Sequence, residues 1–205
     1  MGSRILSNAQ PAVSFLVIKV SMLSTVLNLV KQWVNDMDVV IGLSLQKSYF
    51  NKDGAQYLGE NAENLKVRLK DYFSLVDTKH TIFFTREIHQ TSDSFYRSTR
   101  SHAIVGSPDI EIVESLKPYP KFMFNTSRYN SFFMTPLESE LKKTGAKRVY
   151  IVGVETHTNI LFTAEELRNR GYEVTVYEPL VASVDSYMHA AGINLLSNVL
   201  SVDVE

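Results

Sequence analysis

Cysteine is absent from all 205 residues. That absence excludes disulfides, thiolate metal sites and a thiol nucleophile in any alignment register. Neither sign of charge is in excess: 21 Lys and Arg stand against 22 Asp and Glu, a net charge of −1. No broad attraction to nucleic acid or to an anionic membrane is therefore expected. Acidic residues are missing before Asp36, and the only charged side chains there are Arg4, Lys19 and Lys31. Internal repeats and low-complexity segments are also missing. What remains is 44% hydrophobic and 21% charged, ordinary for a globular chain of one domain with an appendage.

The appendage is residues 1–37. From Ala12 to Val34 it reads AVSFLVIKVSMLSTVLNLVKQWV. Placed on a helix, Ser14, Ser21, Ser24, Thr25, Asn28, Lys31 and Gln32 gather in one stripe, with large apolar residues elsewhere. Lys19 alone falls outside the stripe and argues against a membrane span. A transit peptide fits the basic, serine-bearing composition. An amphipathic helix on a partner subunit or at a membrane surface fits the stripe. A helix folded back on its own domain, and a strand at Val13 to Val20, stay open. A mitochondrial location is expected from this start, with the cytoplasm as the alternative. Homo-oligomerisation also stays open.

The remainder, 38–205, is organised around Val149 to Tyr177. An apolar run, Val149 to Val152, stops at Gly153. Ile160, Leu161, Ala164 and Leu167 then recur at helical spacing up to Gly171, and a second β-rich run begins at Tyr172. Strand, helix and strand within about thirty residues form a βαβ unit, which implies a parallel sheet. Asp38 to Gln46, Thr81 to Thr85 and Lys121 to Asn125 read as further strands. Asn61 to Val76 reads as an amphipathic helix, Thr135 to Gly145 as a helix opened by a capping box, and Val184 to Leu200 as a last helix. The expected fold is a single α/β Rossmann-like domain, its mostly parallel sheet flanked by helices. Ligands in such sheets bind where strands give way to helices, which points to Val154–Asn159.

GVETHTNILFTAEELRNRGYEV resembles the signature of the isochorismatase and nicotinamidase family of cysteine hydrolases, with Gly153, Val154, Thr156, Thr163, Ala164, Gly171, Tyr172 and Val174 in register. Asp38 to Gly54 resembles the family's opening V-I-D-M-Q-N-D-F, with Gln46 on the glutamine and Tyr49 or Phe50 on the aromatic. A rival register lies upstream at Phe15 to Lys19. Arg86 to His89 is similar to T-R-D-x-H, and His102 to Ser107 to the H-C-V-x-G-T segment of nicotinamidases.

The resemblance implies a nucleophilic cysteine where Asn159 stands, a general-base aspartate where Ser44 stands, and a lysine where Asn125 or Thr126 stands. None of these can attack or accept a proton as the family's residues do. The resemblance also implies a divalent metal site at Glu87, His89 and His102, and two imidazoles with a carboxylate suit zinc, iron or manganese. The alternative is that Glu87 and His89 only make loop hydrogen bonds while His102 packs. Asp93 reads as a fourth ligand or an Asx turn. His157 falls beside the pocket, His189 on a helix face and His80 at a strand entrance. Two functions follow: a catalytically inactive relative serving as a structural or interaction subunit, or a metal-dependent small-molecule binder or hydrolase working without cysteine. No organic cofactor is implied.

Overall fold

The computed structural model describes residues 39–95 and 102–205. The expected helix at Ala12–Val34 and its rival strand register lie outside the described residues, as do 96–101 of the polar loop after β2. Among the described residues no helix is long and apolar enough to cross a membrane.

Six strands form one sheet: β1 (Val39–Leu43), β2 (Thr81–Glu87), β3 (Phe122–Thr126), β4 (Arg148–Val154), β5 (Glu173–Ala182) and β6 (Asp203–Val204). Their order is β3-β2-β1-β4-β5-β6, and every pairing is parallel. β1 lies between β2 and β4 and is buried along its whole length, which is why it reads as an unbroken apolar run rather than an alternating one.

Four of the five crossovers carry α-helices. A single turn, α1 (Lys47–Phe50), follows β1, and α2 (Asn61–Val76) then leads to β2. α3 (Leu137–Thr144) precedes β4, α4 (Leu161–Asn169) precedes β5, and α5 (Ser186–Asn198) precedes β6. On one face, Val39, Ile41 and Leu43 pack with Leu137, Leu141, Ala164, Leu167 and Leu196 of α3, α4 and α5. On the other face α2 buries Leu65, Leu69 and Phe73 completely, and the Phe73 ring lies 5.1 Å from that of Phe84. Those three side chains contribute on the order of 5–9 kcal/mol of burial.

The chain winds outward from β1 to β3, then returns to start again at β4 beside β1. The strand order therefore reverses between β1 and β4, and the crevice at their carboxyl ends is where such a sheet places a ligand.

Several local expectations are refined. The strand expected to end near Tyr177 continues to Ala182 past Glu178 and Pro179. Ile151 pairs with Val176, but Gly153 pairs with Val181, so β5 bulges outward between them. Proline has no N–H for the ladder, and its carbonyl instead accepts from Arg68 Nε at 2.7 Å. Gly153 sits at φ 118, where an added Cβ would lie 2.1 Å from Leu43 O, so only glycine fits. The capping box at Thr135 forms only in part: Thr135 Oγ1 accepts from Leu137 N at 3.4 Å and donates to Ser131 O at 2.6 Å, but the Thr135 N–H donates to Phe132 O rather than to Glu138.

Candidate functional site

The site is built at the carboxyl ends of β1, β2 and β4. Ser44 follows β1 directly, at φ 51 and fully buried, with its N–H donating to Thr85 O at 2.9 Å. Glu87 is the last residue of β2 and is 1% exposed. Asn159 lies in the π-helical turn Thr156–Ile160 that connects β4 to α4.

These three residues meet at the Glu87 carboxylate. Oε1 accepts from Asn159 Nδ2 at 2.6 Å, from Tyr49 OH at 3.0 Å and from Ser44 Oγ at 3.1 Å. Asn159 Nδ2 also donates to Ser44 Oγ at 2.6 Å. Oε2 lies 3.2 Å from His89 Nε2 and 3.3 Å from His102 Nε2. The backbone at Glu87 is fixed by Gln46, whose Oε1 accepts from the Glu87 N–H at 2.7 Å while its Nε2 donates to Glu87 O at 2.9 Å.

His102 is far from His89 in sequence, and a short parallel bridge between His89 and Ile104 brings them together. His89 N donates to Ala103 O and Val105 N donates to His89 O, both at 2.9 Å. The candidate metal residues Glu87, His89 and His102 therefore converge, with ligand atoms all within 4.8 Å of one another. Oxygen-to-nitrogen separations of 3.2 and 3.3 Å are chords of a coordination sphere of about 2.1 Å radius spanning roughly 100°. The donor set thus fits a divalent ion such as zinc, iron or manganese.

Burial alone would push the Glu87 carboxyl up. The hydrogen bonds from His102 and His89, the His102 charge and the Asn159 amide outweigh it, and the group is held far below the ordinary carboxylate range. Burial would pull the His102 imidazole down, but the hydrogen bond and charge of Glu87 hold it above its usual value. Burial, then the Glu87 charge, raises the Tyr49 phenol well above 10.0.

The remaining candidates are placed as follows. Thr126 is buried and pairs with Glu87 in the ladder, and its Oγ1 donates to Arg128 O at 3.0 Å. Asn125 is exposed and turned away, accepting from Arg86 Nε at 2.8 Å. Asp93 makes the Asx turn, accepting from Phe95 N at 2.8 Å, and pairs with Arg128 at 2.7 Å; it is outside the metal cluster. His157 Nδ1 lies 3.0 Å from Ser183 Oγ, and His189 Nδ1 lies 2.8 Å from Thr156 Oγ1. His80 is half-buried at the entrance to β2. α5 packs closely on the π-turn: a Cβ at Gly192 would lie 2.9 Å from His157 N and Cα.

Two features escaped the sequence reading. One is a buried hydroxyl chain in which Thr163 Oγ1 donates to Ser131 Oγ at 3.1 Å, with Ser131 Oγ 3.1 Å from Thr85 Oγ1. It ties α4, the loop after β3 and β2 together behind the site. The other is the two-pronged clasp of Gln46, for which its match to the family's glutamine was the available signal.

An isochorismatase domain model matches residues 38–203. The chain belongs to the isochorismatase family. It is 27% identical over 127 residues to the isochorismatase family protein PncA of Bacillus subtilis, covering 57% of this chain and 69% of that one. It is 27% identical over 124 residues to Nicotinamidase 3 of Arabidopsis thaliana, covering 54% of this chain and 59% of that one. Among solved structures, a pyrazinamidase/nicotinamidase from Streptococcus mutans superposes with TM-score 0.73 at 25% identity, over 82% of this chain and 99% of that one. The pyrazinamidase of Pyrococcus horikoshii, solved in complex with zinc, has the same fold with TM-score 0.72 at 21% identity, over 82% of this chain and 98% of that one.

Proposed function

We propose that this isochorismatase-family domain binds a small molecule beside a divalent metal ion and does not carry out acyl transfer through a covalent intermediate. The observation that carries the reading is the way Ser44 and Asn159 are spent on one oxygen of Glu87, at 3.1 and 2.6 Å. Where nucleophilic hydrolysis needs an attacking group and a base, the pocket holds a hydroxyl, an amide and a carboxylate held too acidic to take a proton efficiently. Glutamate is one methylene longer than the aspartate of the family pattern, and that length lets one carboxylate serve both the imidazoles and the former triad positions.

Glu87, His89 and His102 would hold the ion, which supplies a Lewis acid able to polarise a bound oxygen or nitrogen. The residues of the chain do the rest. Gln46 fixes the Glu87 backbone, Tyr49 and Asn159 orient its carboxylate, and the His89–Ile104 bridge positions the imidazoles. An interaction role in a larger assembly is compatible with this reading and rests on the sequence of residues 12–34 alone.

The test is a hydrolysis assay on the amides nicotinamide and pyrazinamide and on the enol ether isochorismate in zinc-replete buffer, with Asn159→Ala as the reference. Wild type and variant should be equally inert. Turnover by the wild type above that of the variant would overturn the proposal.

A further inference from the structure

A cavity of about 240 Å³ opens over the Glu87 cluster, and two of its wall residues, Tyr49 and His102, touch the Glu87 carboxylate directly. Its size is below the ~300–1,000 Å³ common for drug-sized ligands, so a molecule of about one ring is its natural occupant. The rings of Tyr49, Tyr129 and His157 line it, which suits a flat ligand. Glu155 and Asp185 line it too. Their charges oppose that of the divalent ion in the proposed site. A net charge on the ligand would be attracted by one and repelled by the other, so a neutral molecule fits.

Gln56 sits buried in that wall with nothing to bond to. It lines the cavity and is 7% exposed, yet its side-chain amide makes no hydrogen bond among the described residues. Nor is the amide sealed away: the enclosed, unpartnered polar atoms include Thr158 Oγ1 of the same wall but neither amide atom of Gln56. The access it keeps is therefore through the cavity. Buried polar side chains are paired in the large majority of cases, so this one is left for a ligand. The backbone fixes its place. Gln56 N donates to Ser48 O at 3.0 Å, Tyr57 N to Gly54 O at 3.1 Å and Leu58 N to Tyr49 O at 2.9 Å. The loop after α1 is thus tied to the same Tyr49 that reaches Glu87 at 3.0 Å.

We propose that Gln56 selects the ligand through a pair of hydrogen bonds, and that the ligand is a small planar lactam, a neutral ring with an N–H beside a carbonyl. The amide of Gln56 offers a donor and an acceptor side by side, and the edge that answers both is a carbonyl and an N–H held on the same side. A ring holds an amide in that cis arrangement, whereas an open-chain secondary amide is trans and presents only one of the two groups at a time. The inference rests on the reading of this cavity as a small-molecule site and adds the residue that chooses its ligand.

The experiment titrates 2-pyridone and N-methyl-2-pyridone, which share a ring and a carbonyl and differ in the N–H, into the full chain, metal-free and zinc-loaded, with affinity read from NMR chemical shifts. Wild type should bind 2-pyridone at least about tenfold tighter than its N-methyl form. Gln56→Met, similar in length but unable to pair, should lose that gap. Because the amide bonds nothing in the protein, the ligand-free variant should unfold within about 3 °C of wild type. Equal affinity of wild type for the two probes, no binding of either, a gap that survives Gln56→Met, or a larger fall in the ligand-free Tm would overturn the inference. If zinc fails to bind while the metal-free protein still prefers 2-pyridone through Gln56, the metal reading falls and the role of Gln56 stands.

Discussion

Replacing Glu87 by alanine tests the carboxylate as the hub of the site. The side chain meets five partners, Ser44, Tyr49, Asn159, His89 and His102, all buried. Alanine leaves their polar atoms facing a void. Each unsatisfied buried group costs about 1–3 kcal/mol, and removing one partner of a buried charge pair costs about 3–5 kcal/mol. Since water entering the space recovers part of this, the expected loss is about 3–5 kcal/mol. At roughly 2–4 °C per kcal/mol for a domain of this size, Tm falls by roughly 6–20 °C. Urea unfolding of the metal-free protein should show a lower midpoint at unchanged slope. Glu87→Gln should cost far less, because its amide can donate to both imidazole Nε2 atoms while its oxygen keeps the three donors on the other side. The sign with pH follows from the carboxyl being held below its ordinary 4.5. Its contribution is complete above about pH 4.5 and drains away as pH falls toward the folded-state value, so wild type and Glu87→Ala should converge in acid. An alanine variant less than about 1 kcal/mol below wild type at pH 7 would refute the hub.

Ser44→Asp would place a second carboxylate beside Glu87, which already lies 3.1 Å from Ser44 Oγ. Like charges this close cannot both ionise cheaply, so the metal-free variant should be destabilised at pH 7 and less so at pH 5, read from urea midpoints. Gly192→Ala would push α5 off the π-turn, since its Cβ would meet His157 backbone at 2.9 Å. A loss of about 1–3 kcal/mol is expected by thermal unfolding, and a neutral result would show that the helix moves freely. Burial first, with the nearby His157, lowers the His189 pKa below 6.5 despite Glu178. Its contribution is therefore complete above about pH 6.5 and is lost as pH falls. The stability gap between wild type and His189→Gln should shrink between pH 8 and 5, and a gap that widens would reverse the assignment.

The fold was legible in the sequence because its signals are local. The run from Val149 to Val152, the helical spacing of Ile160 to Leu167 and the stop at Gly171 specify a βαβ unit from pattern alone. The short pieces were not legible. Lys47–Phe50 and Asp203–Val204 carry too few residues for a period, and β5 hides its passage through Pro179 behind a bulge. Within the site, the resemblance placed Glu87, His89 and His102 correctly in one cluster, because loop spacing carried the family pattern. It left Asn125 and Thr126 undecided; the fold pairs Thr126 with Glu87 in the ladder and turns Asn125 toward Arg86. What no sequence pattern announced is that Glu87 reaches Ser44 and Asn159 as well as the histidines. That depends on a single methylene and on the distance between two strand ends, which is a property of the folded sheet.

The most direct measurement is metal stoichiometry with the histidines as controls. Metal-free protein is dialysed against zinc at known free concentrations and its bound zinc counted by mass spectrometry, for wild type, His89→Ala and His102→Ala. A site built from Glu87, His89 and His102 predicts one tightly held zinc per wild-type chain and an affinity at least roughly 100-fold weaker in either variant. Wild type that retains no zinc, or that binds it no more tightly than the two alanine variants, would contradict the account.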